Sequence, residues 1–280
     1  MVLSDFILHS RANACWDYSG MDSIERCLDK KHFKNYPYKI KYVYNSRGFR
    51  DAEWPNSIDE LRNAIWCIGD SFTVGLGAPL EHTWPYLLQQ QTGRRCINVS
   101  LDGASNQWIA RITQKLIEEI NPDEIVIMWS YVHRRENKDA SLSDEDRRIH
   151  EVDSTEIEDL INLKSCIMSA SRPGITHTLI PGAYASHDYI DTIYNKVSSP
   201  SWPQKIRDRK IFENLPSYIV NELKYKFEIY DQIYKSIVQT EIVEECKKIY
   251  NLVEVLQLDY ARDHHHFDKL TSQWLIEQIC

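Results

Sequence analysis

Three short runs constrain the fold of this chain more than anything else in it: Ile65-Trp66-Cys67-Ile68-Gly69, Arg95-Cys96-Ile97-Asn98-Val99-Ser100 and Glu124-Ile125-Val126-Ile127-Met128-Trp129-Ser130. They are apolar rather than alternating, so each reads as a strand buried on both faces, and a sheet of such strands must be covered on both sides. Helix-like stretches lie between them. Thr83 to Gln91 has Pro85 in its first turn and stops at Gly93, and Gln107 to Ile120 is broken by Asn121-Pro122-Asp123. This alternation predicts an α/β chain, a three-layer α/β/α sandwich with a mostly parallel sheet of about five strands. Further on, a helix from about Thr155 to Ser171 leads through Pro173-Gly174 to a fourth strand, Ile175 to Gly182, and Leu252 to Leu258 reads as the last strand.

The first run ends in Gly69-Asp70-Ser71, and Phe72-Thr73-Val74-Gly75-Leu76-Gly77 follows. A strand, a tight turn and a helix start place Ser71 at the carboxyl edge of the sheet. Backbone N–H groups and the positive end of the helix can there face developing negative charge, which is where a nucleophile belongs. A serine nucleophile needs a base with an orienting carboxylate. Near the C-terminus stands Ala261-Arg262-Asp263-His264-His265-His266-Phe267-Asp268, just before an apolar-periodic closing helix, Leu270 to Ile279. Asp263 and His266 are three apart, which lets the carboxylate accept from one imidazole nitrogen while the other faces Ser71. Of the three consecutive histidines only His266 has an aspartate three positions before it. The histidine run is not accompanied by spaced partner ligands, so no metal is expected.

Gly69-Asp70-Ser71, Gly103 within Asn98-Val99-Ser100-Leu101-Asp102-Gly103-Ala104-Ser105-Asn106, and Asp263-x-x-His266 together resemble the SGNH (GDSL-type) hydrolase superfamily. The match spans most of residues 61–134 and 250–280. The resemblance implies a flavodoxin-like strand order, Ser71 as nucleophile, His266 as general base, Asp263 as its orienter, the Ser71 and Gly103 N–H groups as oxyanion donors, and no cofactor. It fails at one block. Where the family carries Gly-x-Asn-Asp after the central strand, this chain has Trp129-Ser130-Tyr131-Val132-His133-Arg134. The Ser130 hydroxyl and the Asn106 side chain are the candidates to complete the oxyanion hole; each also reads as an ordinary structural polar residue. Asn45-Ser46-Arg47-Gly48-Phe49-Arg50 is similar to stretches that precede the Gly-Asp-Ser block in some SGNH-like proteins, which makes Asn45 and Arg50 candidate substrate contacts. The other reading is a turn anchored by Phe49, with Arg50 paired to a surface acid. Arg134 is a candidate for an anionic or sugar group at the mouth of the site, or else a solvated surface arginine.

With 280 residues and 42% hydrophobic composition, the chain can bury one sizeable core. We expect an N-terminal extension over residues 1–60 packed on one large domain, 61–280, with a mainly helical cap or lid inserted at about 184–250 over the carboxyl edge of the sheet. A formal charge of -8 without a long basic stretch argues against nucleic-acid and anionic-membrane partners. Seven scattered cysteines without a CxxC pair suggest reduced thiols. No leader pattern and no bilayer-length apolar stretch stands out, so a soluble, cytoplasmic chain is expected. The leading reading is a serine esterase acting on small acyl esters, O-acetyl groups on carbohydrate above all, with Trp and Tyr rings as stacking faces for sugars. The alternatives are a non-catalytic carbohydrate-binding or structural protein on the same fold, and an acyltransferase that delivers to a sugar hydroxyl.

Overall fold

In the computed structural model, the described residues are 9–20, 22, 23, 33, 34, 36, 38–151, 154, 156–183 and 241–280. In chain order the elements are β1 (Cys15–Trp16), β2 (Tyr42–Val43), α1 (Ile58–Asn63), β3 (Ile65–Gly69), α2 (Ser71–Val74), α3 (Trp84–Thr92), β4 (Cys96–Ser100), α4 (Asn106–Glu119), β5 (Glu124–Trp129), β6 (Arg134–Arg135), β7 (His150–Glu151), α5 (Glu156–Ala170), β8 (Ile175–Leu179), α6 (Glu241–Tyr250), β9 (Val253–Glu254) and α7 (Lys269–Ile279). The central sheet runs β4-β3-β5-β8-β9, and every neighbouring pair is parallel. That is the doubly wound order in which the chain reverses direction across the sheet beside its first strand. Crevices at the carboxyl ends of strands open at such a reversal. Here the first strand is β3, and it delivers Ser71 to that edge.

The continuous burial expected of the three runs is what the sheet needs: every residue of β3 and β4, and all of β5 after Glu124, is buried. Four tryptophans, Trp66, Trp84, Trp108 and Trp129, are among the largest fully buried side chains and fill the space between sheet and helices. On α4 the buried residues Trp108, Ile109, Ile112 and Leu116 form one stripe, and the Ser105 hydroxyl caps the helix by accepting the Trp108 N–H at 3.3 Å. The last strand is shorter than the apolar run Leu252 to Leu258 suggests, with only Val253 and Glu254 paired to β8. Past the Val255 N–H, which still donates to Leu179 O, the chain bonds elsewhere: Gln257 donates its side-chain amide to His265 O, and the Leu258 N–H donates to Thr271 Oγ1. Competing partners in the C-terminal loop end the strand.

Asp259 and Thr271 close that loop at its two ends. The Asp259 carboxylate accepts from the Asp268, Leu270 and Thr271 N–H groups, and from the Thr271 hydroxyl at 2.7 Å. Burial and the neighbouring Asp268 charge nevertheless raise the Asp259 carboxyl to about 6. Thr271→Val keeps the shape but leaves the buried Leu258 N–H without its acceptor, so we expect a loss of about 1–3 kcal/mol, read as a lower denaturant midpoint at unchanged slope.

The cap expected at 184–250 lies outside the described residues as far as position 240. Its last ten residues form α6, which packs on α5, with Lys164 Nζ 2.6 Å from Glu245. Among the described residues Cys15, Cys67, Cys96, Cys166, Cys246 and Cys280 are free thiols, and no helix is long and apolar enough to cross a membrane.

Candidate active site

The turn that carries Ser71 is fixed by what its residues lack and what they cap. A Cβ on Gly69 would fall 2.1 Å from Thr73 Oγ1 and 3.0 Å from Met128 O, so the strand can leave the sheet here only through glycine. Asp70 then accepts the Phe72 N–H at 3.0 Å and caps α2. Ser71 takes the first helical position, where its own N–H has no partner within the helix.

The C-terminal loop brings the other two groups. Asp263 Oδ1 accepts the N–H groups of His265 and His266, each at 3.0 Å, and this turn aims Oδ2 at His266 Nδ1, 2.5 Å away. His266 Nε2 lies 2.8 Å from Ser71 Oγ. A carboxylate only accepts, so the Asp263 contact places the neutral ring's proton on Nδ1 and leaves Nε2 to accept from the serine hydroxyl. The Phe72 and His265 rings, both with centroids 4.6 Å from that of His266, wedge the imidazole in place. His265 Nε2 faces the Tyr131 hydroxyl at 3.3 Å, and His264 occupies a left-handed turn position. His266 is the histidine that meets Ser71.

Ser71, Asp263 and His266 are all buried. Burial by itself would raise the Asp263 carboxyl, but the His266 charge and hydrogen bond, with help from His265, pull it down to about 2. Burial likewise disfavours the imidazolium of His266. Here the Asp263 charge and hydrogen bond, with Asp70 and Asp102 behind them, prevail and raise its pKa above the ordinary histidine value.

The candidate oxyanion groups separate into two kinds. Gly103 sits at φ 78°, a conformation suited to glycine, and among the described residues its N–H meets no acceptor. Ser130 and Asn106 have their polar atoms engaged with the protein. The Ser130 hydroxyl donates to Asp70 Oδ2 at 2.6 Å, while Asn106 Oδ1 accepts the Ser130 N–H and its Nδ2 donates to Ser130 O and Tyr131 O. Arg134 stands where they meet. Its Nη1 reaches Asp70 Oδ2 at 3.1 Å and Ser130 Oγ at 2.9 Å, and its guanidinium lies 4.7 Å over the Tyr131 ring.

The two residues of the Asn-Ser-x-Gly-Phe-Arg stretch are turned inward. Asn45 Oδ1 accepts the N–H groups of Arg47 and Phe49 and its amide donates to Ala52 O, so it shapes its own turn. Arg50, only 2% exposed, donates to the carbonyls of Val74, Gly75 and Ala78 and lies 4.3 Å over the Tyr42 ring. Instead of pairing with a surface acid it satisfies the Val74 carbonyl at the end of α2 and the Gly75 and Ala78 carbonyls of the turn that follows. Phe49 is the anchor, stacked on Trp54 at 5.4 Å. Sequence reasoning missed the Asp70–Arg134 pair, because nothing local in Tyr-Val-His-Arg says which acid the arginine will meet. Among the described residues no cluster of His, Cys, Asp and Glu has the geometry to hold a metal.

No protein-family model matches the chain, and no curated protein matches it. Solved structures do. A lipolytic protein of the G-D-S-L family from Veillonella parvula is 13% identical, with a TM-score of 0.40 over 77% of this chain and 94% of that one. TesA is 16% identical, with a TM-score of 0.35 over 78% of this chain and 96% of its own. A family two carbohydrate esterase from Clostridium thermocellum, solved with cellohexaose, is 14% identical, with a TM-score of 0.41 over 81% of this chain and 64% of that one. What the chain is similar to, by these matches, is a set of G-D-S-L lipolytic proteins and esterases.

Proposed function

We propose that this protein is a serine esterase of the SGNH type that hydrolyses small acyl esters. The observation that carries the reading is the continuous relay from Ser71 Oγ through His266 to Asp263, at 2.8 Å and 2.5 Å. His266 Nε2 removes the hydroxyl proton as Ser71 Oγ bonds to the ester carbonyl carbon. The resulting oxyanion faces the Ser71 and Gly103 N–H groups, and the Arg134 guanidinium supplies the third donor that Ser130 and Asn106, already committed, do not. Collapse expels the alcohol, which takes the proton back from His266. Water, deprotonated in its turn by His266, then releases the acyl group as the acid. The finer substrate reading is an O-acetyl ester on carbohydrate, supported by burial of the triad, which suits a small acyl group. A non-catalytic role is disfavoured by the Ser71–His266 hydrogen bond, which a binding protein has no reason to keep.

Fluorophosphonate labelling of the purified protein, with the modified residue located by mass spectrometry, tests the reading. Label on Ser71 supports it; a folded protein that takes none would end it. The pH dependence is a second test. Only neutral His266 can accept the proton, and its pKa is raised, so hydrolysis of an activated acetate ester should rise with pH through a single ionisation above about 6.5 and be lost below it. A flat profile between about pH 5 and 8 would remove His266 as the base.

A further inference from the structure

Against the Asp263 carboxylate, four residues from three parts of the chain, Gly77 among them, close a ring of hydrogen bonds. The Tyr42 hydroxyl, on β2, accepts the Gly77 N–H at 2.8 Å and donates to Asp22 Oδ2 at 2.6 Å. Asp22 takes both arms of the Arg262 guanidinium, Nε to Oδ1 and Nη2 to Oδ2, each at 2.7 Å. The Arg262 backbone N–H returns to Gly77 O at 2.9 Å, which completes the circuit. Asp22 and Tyr42 are fully buried and Arg262 nearly so. The catalytic carboxylate rests against this ring: a Cβ on Gly77 would come within 2.9 Å of Asp263 Cγ and Oδ1, and within 2.8 Å of the Ala261 Cβ. Arg262 is the residue next to Asp263 in the chain. Its guanidinium also lies against the Tyr18 and Phe33 rings, 5.0 Å and 4.8 Å from their centroids.

A bidentate arginine–carboxylate pair fixes direction as well as distance. Gly77, held at both its N–H and its C=O, cannot rotate away from Asp263. We infer that Tyr42, Asp22 and Arg262 are positioning residues for the catalytic carboxylate, so that the N-terminal extension sets the geometry of the Asp263–His266 hydrogen bond. None of the three reaches the reacting atoms. They act through Gly77 and through the backbone of the loop that carries Asp263. The inference rests on the proposed function, since it takes the Ser71–His266–Asp263 relay as the reacting assembly.

The test reads the Asp263–His266 bond directly, without turnover. In the wild-type protein the His266 Nδ1 proton is expected to give a low-field proton resonance, and the imidazole to titrate above about 6.5. Tyr42→Phe keeps the ring beneath Arg50 but deprives Gly77 of its acceptor. Arg262→Lys keeps the charge but replaces a fork by a single point. In both variants the resonance should broaden or move upfield and the His266 pKa should fall toward the ordinary value. The value of kcat/KM should drop by about tenfold to a hundredfold, since a displacement of about 1 Å at a reacting group can cost that much. Tyr44→Phe is the control. It makes the same chemical change two residues away, at a hydroxyl that meets Arg11, and should leave all three readings as in the wild type. Folded Tyr42→Phe and Arg262→Lys proteins with wild-type resonance, titration and rate would overturn the inference. So would failure of both to fold while Tyr44→Phe folds, because the ring would then be a stability element and nothing more. If Ser71 proves unreactive but the two variants still alter the His266 resonance, the esterase reading falls and the positioning role stands.

Discussion

Ser71→Ala and His266→Ala should each cost nearly all esterase activity, about 10⁴- to 10⁶-fold in kcat, and the double variant should be hardly worse than either single one. The reason lies in the geometry. In the proposed mechanism Ser71 Oγ is a weak nucleophile until His266 Nε2, 2.8 Å away, accepts its proton, and a base without a nucleophile has nothing to activate. Removing either therefore removes the same step, and the residual rate comes from whatever binding and oxyanion contacts remain. Losses that multiplied in the double variant would mean that the two groups serve different reactions. Asp263→Asn should cost about 10⁴-fold: the amide can still contact Nδ1, but its NH₂ favours the wrong tautomer and cannot stabilise the imidazolium. In the same variant the His266 pKa should fall, because the Asp263 charge is the main influence that raises it against burial. Melting temperature separates lost chemistry from lost structure. A folded Ser71→Ala protein with full activity on an acetyl ester would end the hydrolase reading.

The parts of this molecule that were legible in the sequence are those written in local pattern. Apolar runs flanked by glycine and by helix caps gave strands at 65–69, 96–100 and 124–129, and the Asp-x-x-His spacing is met in the structure by a turn in which Asp263 accepts two backbone N–H groups before it meets His266. What was not legible depends on which distant groups become neighbours. Arg50 lies in a turn that looks solvated, yet it is buried against three carbonyls of the turn after Ser71, a contact no local signal announces. The apolar run to Leu258 predicts a longer strand than forms, because Thr271 and His265, which draw off its backbone and side-chain hydrogen bonds, come from the loop and helix that follow. Asn106 and Ser130 read from the sequence as candidates to complete the oxyanion hole, whereas in the structure their polar atoms are bonded within the protein. Their partners, the strand end at Ser130–Tyr131 and the Asp70 carboxylate, are visible only once β3, β5 and α4 are side by side.

That exchange of partners makes Arg134 the second large effect. Arg134→Met should lower kcat by about a hundredfold or more while KM changes little, since a donor aimed at the oxyanion acts in the transition state rather than on the bound ester. The guanidinium suits the part. Nη1 is tied to Asp70 and Ser130, the side chain is 17% exposed, and among the described residues Nε and Nη2 have no protein acceptor. The single variant carries a confounding loss, however, because Asp70 is fully buried and its carboxyl is already raised by that burial, with Arg134 and Ser130 opposing the rise. Stripped of Arg134, it becomes an uncompensated buried acid, and breaking a buried pair from one side costs about 3–5 kcal/mol. Asp70→Asn combined with Arg134→Met removes both charges together. The double variant should regain much of the lost stability and none of the lost kcat. Ser130→Ala should do the reverse, with lower stability and a nearly unchanged kcat, because its proton is spent on Asp70 and not on substrate. If Ser130→Ala instead abolishes kcat while the Arg134 variants keep it, the hydroxyl is the third donor, and the arginine serves only to neutralise Asp70.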